Sequence, residues 1–292
     1  MKKSDFLYLF LYYLLKAVFK ILPKRLIKKL ANLIAKIAFK LNKKHRKIID
    51  VNLSICFPNK TKKQRDEISL KIYENFAKFG LDFLANQNIN KDEIQKKVQV
   101  EDLQDFKAIS NSGRKLVFST AHYGNWELLS LFYSANFKKI SIVVRMLDSG
   151  VMNKIVAKNR AQFDIELINK KGGLKQMLKA LKNDRVLGLL TDQNATESEG
   201  LRLKFFGKDI IYLSGASVIA KKSSALLVPV FIYQNDDKYI IKHFKAMDSK
   251  DFSVEELTKY QAACLEQMIK FKPDEYFFFH KRFKSSSENP YE

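Results

Sequence analysis

The sequence predicts an α/β domain in which helices flank a mainly parallel sheet. Short runs rich in β-branched residues alternate with longer segments whose apolar residues recur at helical spacing. This alternation is typical of strands joined by helical crossovers, which make neighbouring strands parallel. Of the 292 residues 46% are hydrophobic, so the chain can enclose the core that such a domain needs.

The chain begins with an apolar segment, residues 6–22, followed by a basic segment, residues 23–47. Lys16 and Lys20 interrupt the apolar segment and make it marginal as a membrane span. A short span and a helix lying in the membrane interface both remain open, and either would anchor the chain. The alternative is an ordinary helix packed on the domain with a solvated lysine face. We assign residues 1–22 to an N-terminal membrane-anchoring helix.

The protein is strongly basic, with 53 Lys and Arg residues, 31 Asp and Glu residues and a formal net charge of +22. More than half of this excess lies in residues 1–50. We expect residues 23–47 to form a basic amphipathic helix that binds anionic membrane lipids. Positive charge after the apolar segment predicts that the rest of the chain faces the cytoplasm. No helix-turn-helix, RNP-like or zinc-finger pattern accompanies the charge, so we predict no nucleic-acid partner.

Residues 48–284 are predicted to form one folded domain, with a helical lead-in at 62–86. Strands are predicted at 115–120, 140–145, 165–168, 186–191, 226–233 and 239–244. Helices are predicted between most of them, at 126–135, 151–163, 173–183, 214–223 and 254–271. No linker or repeat marks a second domain, and residues 285–292 are predicted to be a frayed tail.

The segment 116–127 contains the most informative motif. An apolar run, which we interpret as a buried strand, ends near His122, and the carboxylate of Glu127 follows five positions later. Residues five apart do not meet across one regular helical face, so we place His122 in a turn and Glu127 in the first turn of the next helix. Gly124 and Asn125 supply the turn and the cap. Glu127 can then fold back onto the imidazole and leave its other nitrogen free to take a proton from a hydroxyl. A satisfied core histidine is the alternative.

The sequence offers no metal site. Cys56 and Cys264 lie far apart, and the four histidines form no His-x3-His or similar pair. We predict that both cysteines are buried free thiols and that the protein uses neither a metal nor another cofactor.

Further strings accompany the histidine motif in a specific order. They are Arg46 with Asn52-Leu53, Ala121 through Glu127, Arg145 with Asp148 and Arg160, Gly172-Gly173, Thr191-Asp192-Gln193, Phe205-Phe206-Gly207, Ser214-Gly215, Val228-Pro229-Val230, and Pro273 through Tyr276 leading to His280 through Phe283. Together they resemble the late acyltransferases of lipid A biosynthesis, the lauroyl/myristoyl group of bacterial inner-membrane enzymes. The resemblance covers nearly the whole chain. The family's His-x4-Asp/Glu motif appears here with Glu127. The resemblance implies a glycerol-phosphate-acyltransferase-like fold.

The resemblance implies transfer of a fatty acyl chain from acyl carrier protein, or another thioester donor, to a hydroxyl of a lipid A precursor at the cell inner membrane. His122 would deprotonate the alcohol while Glu127 orients the ring, without a covalent acyl-enzyme. Backbone amides after His122 would steady the oxyanion. The donor protein is acidic and the precursor carries phosphates, so both partners suit a basic surface.

The resemblance also points to polar residues for substrate binding. Arg145 and Arg160 would hold phosphate or sugar groups or stabilise charge at the reacting centre, the alternative being exposed salt bridges. Asp192 and Gln193 close a strand and would border the pocket, although Asp192 could serve only as a loop cap. Asn125 completes this set of predicted substrate-binding residues.

Two other functions fit parts of the sequence. One is an acyltransferase that shares the His-carboxylate pair but acts on another phospholipid or glycolipid. The other is a non-catalytic, membrane-bound protein that binds anionic lipid. Turnover would separate these cases.

Overall fold

The strands and helices alternate as the sequence predicts. In the computed structural model, which describes residues 3–292, the strands are β1 Val98–Val100, β2 Leu116–Thr120, β3 Ile140–Val144, β4 Glu166–Asn169, β5 Val186–Leu190, β6 Gly200–Phe205, β7 Lys208–Leu213, β8 Leu226–Asn235, β9 Lys238–His243 and β10 Met247–Asp248. The helices are α1 Lys3–Ile21, α2 Lys24–Leu41, α3 Lys43–Cys56, α4 Lys62–Ala85, α5 Lys91–Lys97, α6 Leu103–Ser110, α7 Trp126–Asn136, α8 Gly150–Arg160, α9 Leu174–Lys182, α10 Gly215–Ser223 and α11 Val254–Phe271.

The main sheet is mostly parallel, which confirms the predicted fold class. Its strands run in the order β1-β9-β8-β2-β5-β3-β4, and β10 pairs with β8. From β8 to β4 every neighbouring pair along this order is parallel, whereas β9 and β10 are antiparallel to β8. Each of the six predicted strands overlaps an observed one. Helices cover both faces, because the buried side chains form separate apolar clusters on the α7 side and on the α9 and α10 side.

The sheet opens between β3 and β5 at the carboxyl ends of the strands. Pairing of these two strands ends at Ile142 with Gly188. In contrast, β5 stays paired with β2 as far as Leu190, and β3 stays paired with β4 as far as Val144. A crevice at the carboxyl ends of parallel strands is where α/β proteins bind ligands.

Several short elements, including the β6-β7 hairpin, are not predicted from the sequence. Its strands alternate buried residues with charged ones such as Arg202 and Lys204, so no continuous apolar run marks them. Phe206 and Gly207 form the turn with φ values of 48° and 75°, and two positive φ values suit the twist of a tight hairpin. β1, β10, α5 and α6 were also not predicted.

The two N-terminal helices pack on the domain through narrow faces. Ile27, Ala31 and Ala35 of α2 are buried at a spacing of four residues, and α2 lies against α4. The side chains left exposed include Phe6, Leu7, Phe10, Tyr13, Leu14, Leu30, Leu33, Ile34 and Ile37. Within residues 3–292 no helix is both long enough and apolar enough to cross a membrane, so the spanning form of the predicted anchor has no support. Residues 1 and 2 of that anchor lie outside the described residues.

The predicted frayed tail is wrong at Tyr291. Its hydroxyl accepts a hydrogen bond from the Phe283 amide at 3.0 Å and bonds to the Asn52 carboxamide oxygen. Earlier in the tail, the Ser285 hydroxyl accepts from the Ile211 amide at 3.0 Å. These contacts hold the C-terminal residues against α3 and the hairpin.

Candidate active site

His122 lies in the turn between β2 and α7, as predicted. The turn is fixed by the segment before the C-terminus, since the Phe277 amide donates to the His122 carbonyl at 2.9 Å and the Gly124 amide donates to the Glu275 carbonyl at 2.9 Å. Asn125 caps α7 by accepting from the Leu128 amide at 3.1 Å. The backbone on both sides of His122 is thereby held in place.

Gly124 is required by this turn. Its φ is +57°, and a Cβ at this position would lie 1.9 Å from the Ile232 carbonyl oxygen on β8. A side chain would therefore meet backbone that has no freedom to move. The close approach lets the turn lie directly on the sheet.

The carboxylate that holds the imidazole is Asp192. His122 Nδ1 lies 2.9 Å from Asp192 Oδ1, with the Asp192 side chain fully buried and the His122 side chain 18% exposed. Parallel pairing of β2 with β5 aligns Thr120 with Leu190, and the two side chains lie two residues beyond that pair. The arrangement leaves Nε2 as the ring nitrogen that can exchange a proton with a substrate.

The charges around Asp192 keep its carboxyl group ionised. Burial alone would raise the pKa of Asp192, but His122, with contributions from His280 and Arg282, lowers it to about 2. Burial alone would lower the pKa of His122, but Asp192 and, more weakly, Glu127 raise it above the usual value. A basic imidazole backed by a buried carboxylate is the arrangement that general-base catalysis needs.

The predicted contact between Glu127 and the imidazole is wrong. Glu127, in the first turn of α7, instead forms a two-pronged ion pair with Arg160, in the last turn of α8. Arg160 Nε lies 2.8 Å from Glu127 Oε2, and the second guanidinium nitrogen contacts the other oxygen. The Glu127 side chain is 8% exposed, and the Arg160 side chain is 21% exposed. The prediction failed because the carboxylate nearest in sequence is not the one that the sheet brings to the ring.

A large cavity of about 690 Å³ opens beside the pair. Its walls include His122, Trp126, Glu127 and Arg160, and a large share of its lining is apolar. Apolar lining residues on the α7 side of the sheet include Phe118, Leu129, Tyr133, Ile140 and Ile142, and those on the other side include Val143, Met177, Leu189, Ala216 and Ile219. The cavity thus occupies the opening between β3 and β5 and reaches both faces of the sheet.

The remaining predicted residues divide into two groups. Arg145 and Gln193 are exposed and line the cavity. The half-buried Arg160 also lines it. Asn125 is 2% exposed and serves as the helix cap, and it borders a smaller cleft beside α4 rather than the large cavity. The predicted oxyanion amides are also occupied in part, because the Tyr123 amide donates to the Ala121 carbonyl and the Gly124 amide to the Glu275 carbonyl.

Three buried side chains behind Asp192 were not predicted as a group. The Tyr276 hydroxyl lies 3.4 Å from the Asp192 carbonyl oxygen and 3.3 Å from His280 Nε2. Burial, reinforced by Arg282 and His122 and opposed by Asp192, lowers the pKa of His280 to about 4, so the ring is neutral at pH 7. Arg282 is fully buried between Phe205 and Tyr212, with its guanidinium carbon 5.0 and 4.8 Å from the ring centroids. Of these three residues, Tyr276 contacts Asp192 directly, and Arg282 contributes to lowering its pKa.

Both cysteines are buried and free, as predicted. Burial raises the pKa of the Cys56 thiol well above its usual range and that of Cys264 to about 12, so neither is a nucleophile at neutral pH. Among the described residues, no group of three or more His, Cys, Asp or Glu side chains is arranged to hold a metal ion.

Comparison with known proteins gives a consistent assignment. Residues 2–285 match the profile of a family described as bacterial lipid A biosynthesis acyltransferase. A lipid A biosynthesis acyltransferase of Haemophilus influenzae is 21% identical over 238 residues, covering 80% of this chain and 74% of the relative. A lipid A biosynthesis lauroyltransferase of Escherichia coli is 22% identical over 261 residues, covering 87% and 83%. A phosphatidylinositol mannoside acyltransferase of Mycolicibacterium smegmatis is 19% identical over 198 residues, covering 66% and 65%.

Proposed function

The chain belongs to the bacterial lipid A biosynthesis acyltransferase family, and we propose that it transfers a fatty acyl chain from an acyl carrier protein thioester to a hydroxyl of a lipid A precursor. One observation carries the proposal. His122, bonded to the buried Asp192, stands at the edge of a cavity of about 690 Å³ with extensive apolar walls. A base beside a hydrocarbon-sized cavity suits the joining of an acyl chain to an alcohol.

His122 is the general base of the proposed reaction. Its Nε2 takes the proton of the acceptor hydroxyl as the oxygen attacks the thioester carbonyl, and Asp192 stabilises the resulting imidazolium. The tetrahedral intermediate collapses with cleavage of the carbon–sulfur bond. The departing thiolate then takes the proton from His122, so that the ester and the free thiol leave a regenerated base and no covalent acyl-enzyme forms.

Arg160 and Arg145 supply positive charge at the same cavity. Glu127 holds the Arg160 guanidinium by two contacts, and a planar guanidinium fixed in this way is suited to an oxyanion or a phosphate. Arg145 lines the cavity and is exposed, which suits a substrate phosphate arriving from solvent. We assign Glu127 the role of holding Arg160, in place of orienting the imidazole.

We propose that α1 and α2 lie in the interface of the cell inner membrane, with the domain on the cytoplasmic side. Both helices expose rows of apolar side chains, and α2 also bears lysines and an arginine. An amphipathic helix of this kind buries its apolar face among acyl chains and attracts anionic lipids. Because lipid A precursors are membrane lipids, this position brings the acceptor to the cavity.

A second class of acceptor is also to be tested, because one relative is a phosphatidylinositol mannoside acyltransferase. Such an enzyme would use the same base on a different alcohol.

The test presents the detergent-solubilised protein with acyl carrier protein thioesters and either a tetra-acylated lipid A precursor or a phosphatidylinositol mannoside, with mass spectrometry of the products. We expect one acyl increment on the lipid A precursor. Transfer to the mannoside alone would contradict the proposed acceptor, and no transfer to either would contradict the enzyme assignment.

A further inference from the structure

A glycine lies in the middle of a row of three paired residues that line the cavity on the α7 side of the sheet. Gly188 of β5 pairs in register with Phe118 of β2 and with Ile142 of β3, and all three residues line the cavity. Residues at paired positions of neighbouring strands present their side chains to the same face. The row therefore has bulky side chains at both ends and an empty position between them.

A methyl group at position 188 would fit and would enter the cavity. The Cβ would lie 3.4 Å from both Ile140 Cδ1 and Ile142 Cγ2, and 4.0 Å from the Ser141 carbonyl oxygen. These are ordinary van der Waals distances, so alanine requires no displacement of its neighbours. Since Ile140 and Ile142 are themselves lining residues, the methyl group would occupy space that is now open.

We call the part of the cavity between His122 and this row, on the α7 side of the sheet, the slot. The distance from the row to His122 determines its length. His122 and Asp192 each lie four residues beyond the row, and β2 and β5 end two residues beyond it, so the separation along the chain is at most about 13 Å. An acyl chain whose carbonyl carbon lies at His122 and whose tail follows the strands reaches Gly188 near its methyl end. Below the row, the bulky side chains of Ile140 and Tyr133 belong to the same apolar wall.

We propose that Gly188 sets the length of the donor acyl chain, as the residue at the floor of the slot on the α7 side. The inference rests on the proposed function, because it takes the occupant of the slot to be the donor's chain. A single unbranched chain suits a cavity of about 690 Å³, whereas a precursor with several chains and a sugar headgroup is far larger than the cavity.

The first measurement reads chain length without catalysis. Trp126 is the only tryptophan in the sequence, lines the cavity and lies 5.0 Å from the His122 ring, so its fluorescence reports occupancy. The probes are free saturated fatty acids of increasing length, each below its critical micelle concentration. Affinity should rise about fourfold per methylene until the chain meets the floor, and then level off.

In Gly188→Ala the rise in affinity should stop about one methylene earlier than in the wild type. Gly80→Ala is the matched control, because Gly80 is exposed on α4 and a Cβ there has nothing within 4 Å. The same stopping length in Gly188→Ala and wild type would overturn the proposal.

The second measurement uses turnover with competing decanoyl, lauroyl, myristoyl and palmitoyl thioesters of acyl carrier protein. Gly188→Ala should shift the preference towards the shorter donor by roughly tenfold. An equal loss with every donor would overturn the proposal, since it would place the acceptor's chain in the slot. Wild-type protein that binds fatty acids with the expected stopping length but transfers none of the donors would contradict the proposed function and leave the slot intact.

Discussion

His122 and Asp192 are 70 positions apart in sequence, yet His122 Nδ1 lies 2.9 Å from Asp192 Oδ1, and the proposed catalysis depends on this contact. Asp192, whose side chain is fully buried, fixes the tautomer of the ring and raises the pKa of His122. Glu127 belongs to a second ion pair with Arg160. At the residue scale, the proposed proton-transferring pair of His122 and Asp192 is therefore distinct from the ion pair of Glu127 and Arg160.

Asp192→Asn tests the first pair. Turnover should fall by roughly 10³- to 10⁴-fold, because the amide stabilises neither the imidazolium nor the required tautomer. A base must be unprotonated to act, so the wild-type rate rises with pH through a His122 pKa that lies above its usual value. Removing the carboxylate that raises this pKa should move the rising limb of the variant to lower pH. The pH profile of kcat checks this, and an unshifted limb would contradict the role of Asp192.

Glu127→Gln and Arg160→Met test the second pair. Glu127→Gln leaves Arg160 without its opposite charge, and Arg160→Met leaves the buried Glu127 carboxylate without a partner in this ion pair. We expect each change to lower the free energy of unfolding by about 2–4 kcal/mol. The double variant should lose less stability than the two single losses combined, because it leaves no unpaired charge. Denaturant unfolding of the four proteins measures this coupling. Additive losses would show that the ion pair contributes nothing beyond its separate side chains.

At the scale of elements, the turn between β2 and α7 lies directly on β8 because Gly124 has no side chain. This close contact and the backbone bonds from Glu275 and Phe277 determine where His122 points. The site therefore depends on the C-terminal segment as much as on β2.

Gly124→Ala should destabilise the protein by about 3 kcal/mol or more, since it combines a positive φ with a Cβ 1.9 Å from a carbonyl oxygen. Gly113→Ala is the matched control, because Gly113 also has a positive φ, +70°, but nothing lies within 4 Å of its Cβ. The control should lose only about 1 kcal/mol. Equal losses in thermal or denaturant unfolding would contradict the close packing of the turn on β8.

The exposed apolar rows of α1 and α2 lead to a prediction about membrane binding. Leu33→Glu and Ile37→Glu on α2, where the side chains are 54% and 48% exposed, should weaken binding to anionic vesicles by at least tenfold without unfolding the domain. Leu103→Glu on α6, 40% exposed, is the control for an added charge elsewhere. Vesicle co-sedimentation measures binding, and unchanged sedimentation of both α2 variants would place the membrane contact elsewhere.

At the scale of the whole molecule, the sequence predicted the parallel sheet and the position of His122 at the end of a strand. These features depend on local apolar runs, which a sequence displays directly. The β6-β7 hairpin was missed because charged residues alternate along it. The tail was predicted to fray, yet Tyr291 packs beside Asn52, a contact that only the folded chain creates.

The partner of His122 shows most clearly where sequence reasoning stopped. Glu127 is the carboxylate that follows His122 most closely in sequence, whereas Asp192 reaches the ring through the pairing of β2 with β5. A signal was present, since both His122 and Asp192 follow predicted strands at the same edge of a parallel sheet. The order of those strands was needed to use it. Arg282, for which no role is predicted from the sequence, is likewise buried between two rings by tertiary packing.

The most direct test of the central claim is acyl transfer to a lipid A precursor by wild-type protein and by folded His122→Ala, measured by mass spectrometry of the product. Circular dichroism and thermal unfolding establish that the variant keeps the wild-type fold. We predict one added acyl chain with the wild type and a loss of at least 10³-fold in turnover with the variant. Near-normal transfer by folded His122→Ala would contradict the assignment of His122 as the base.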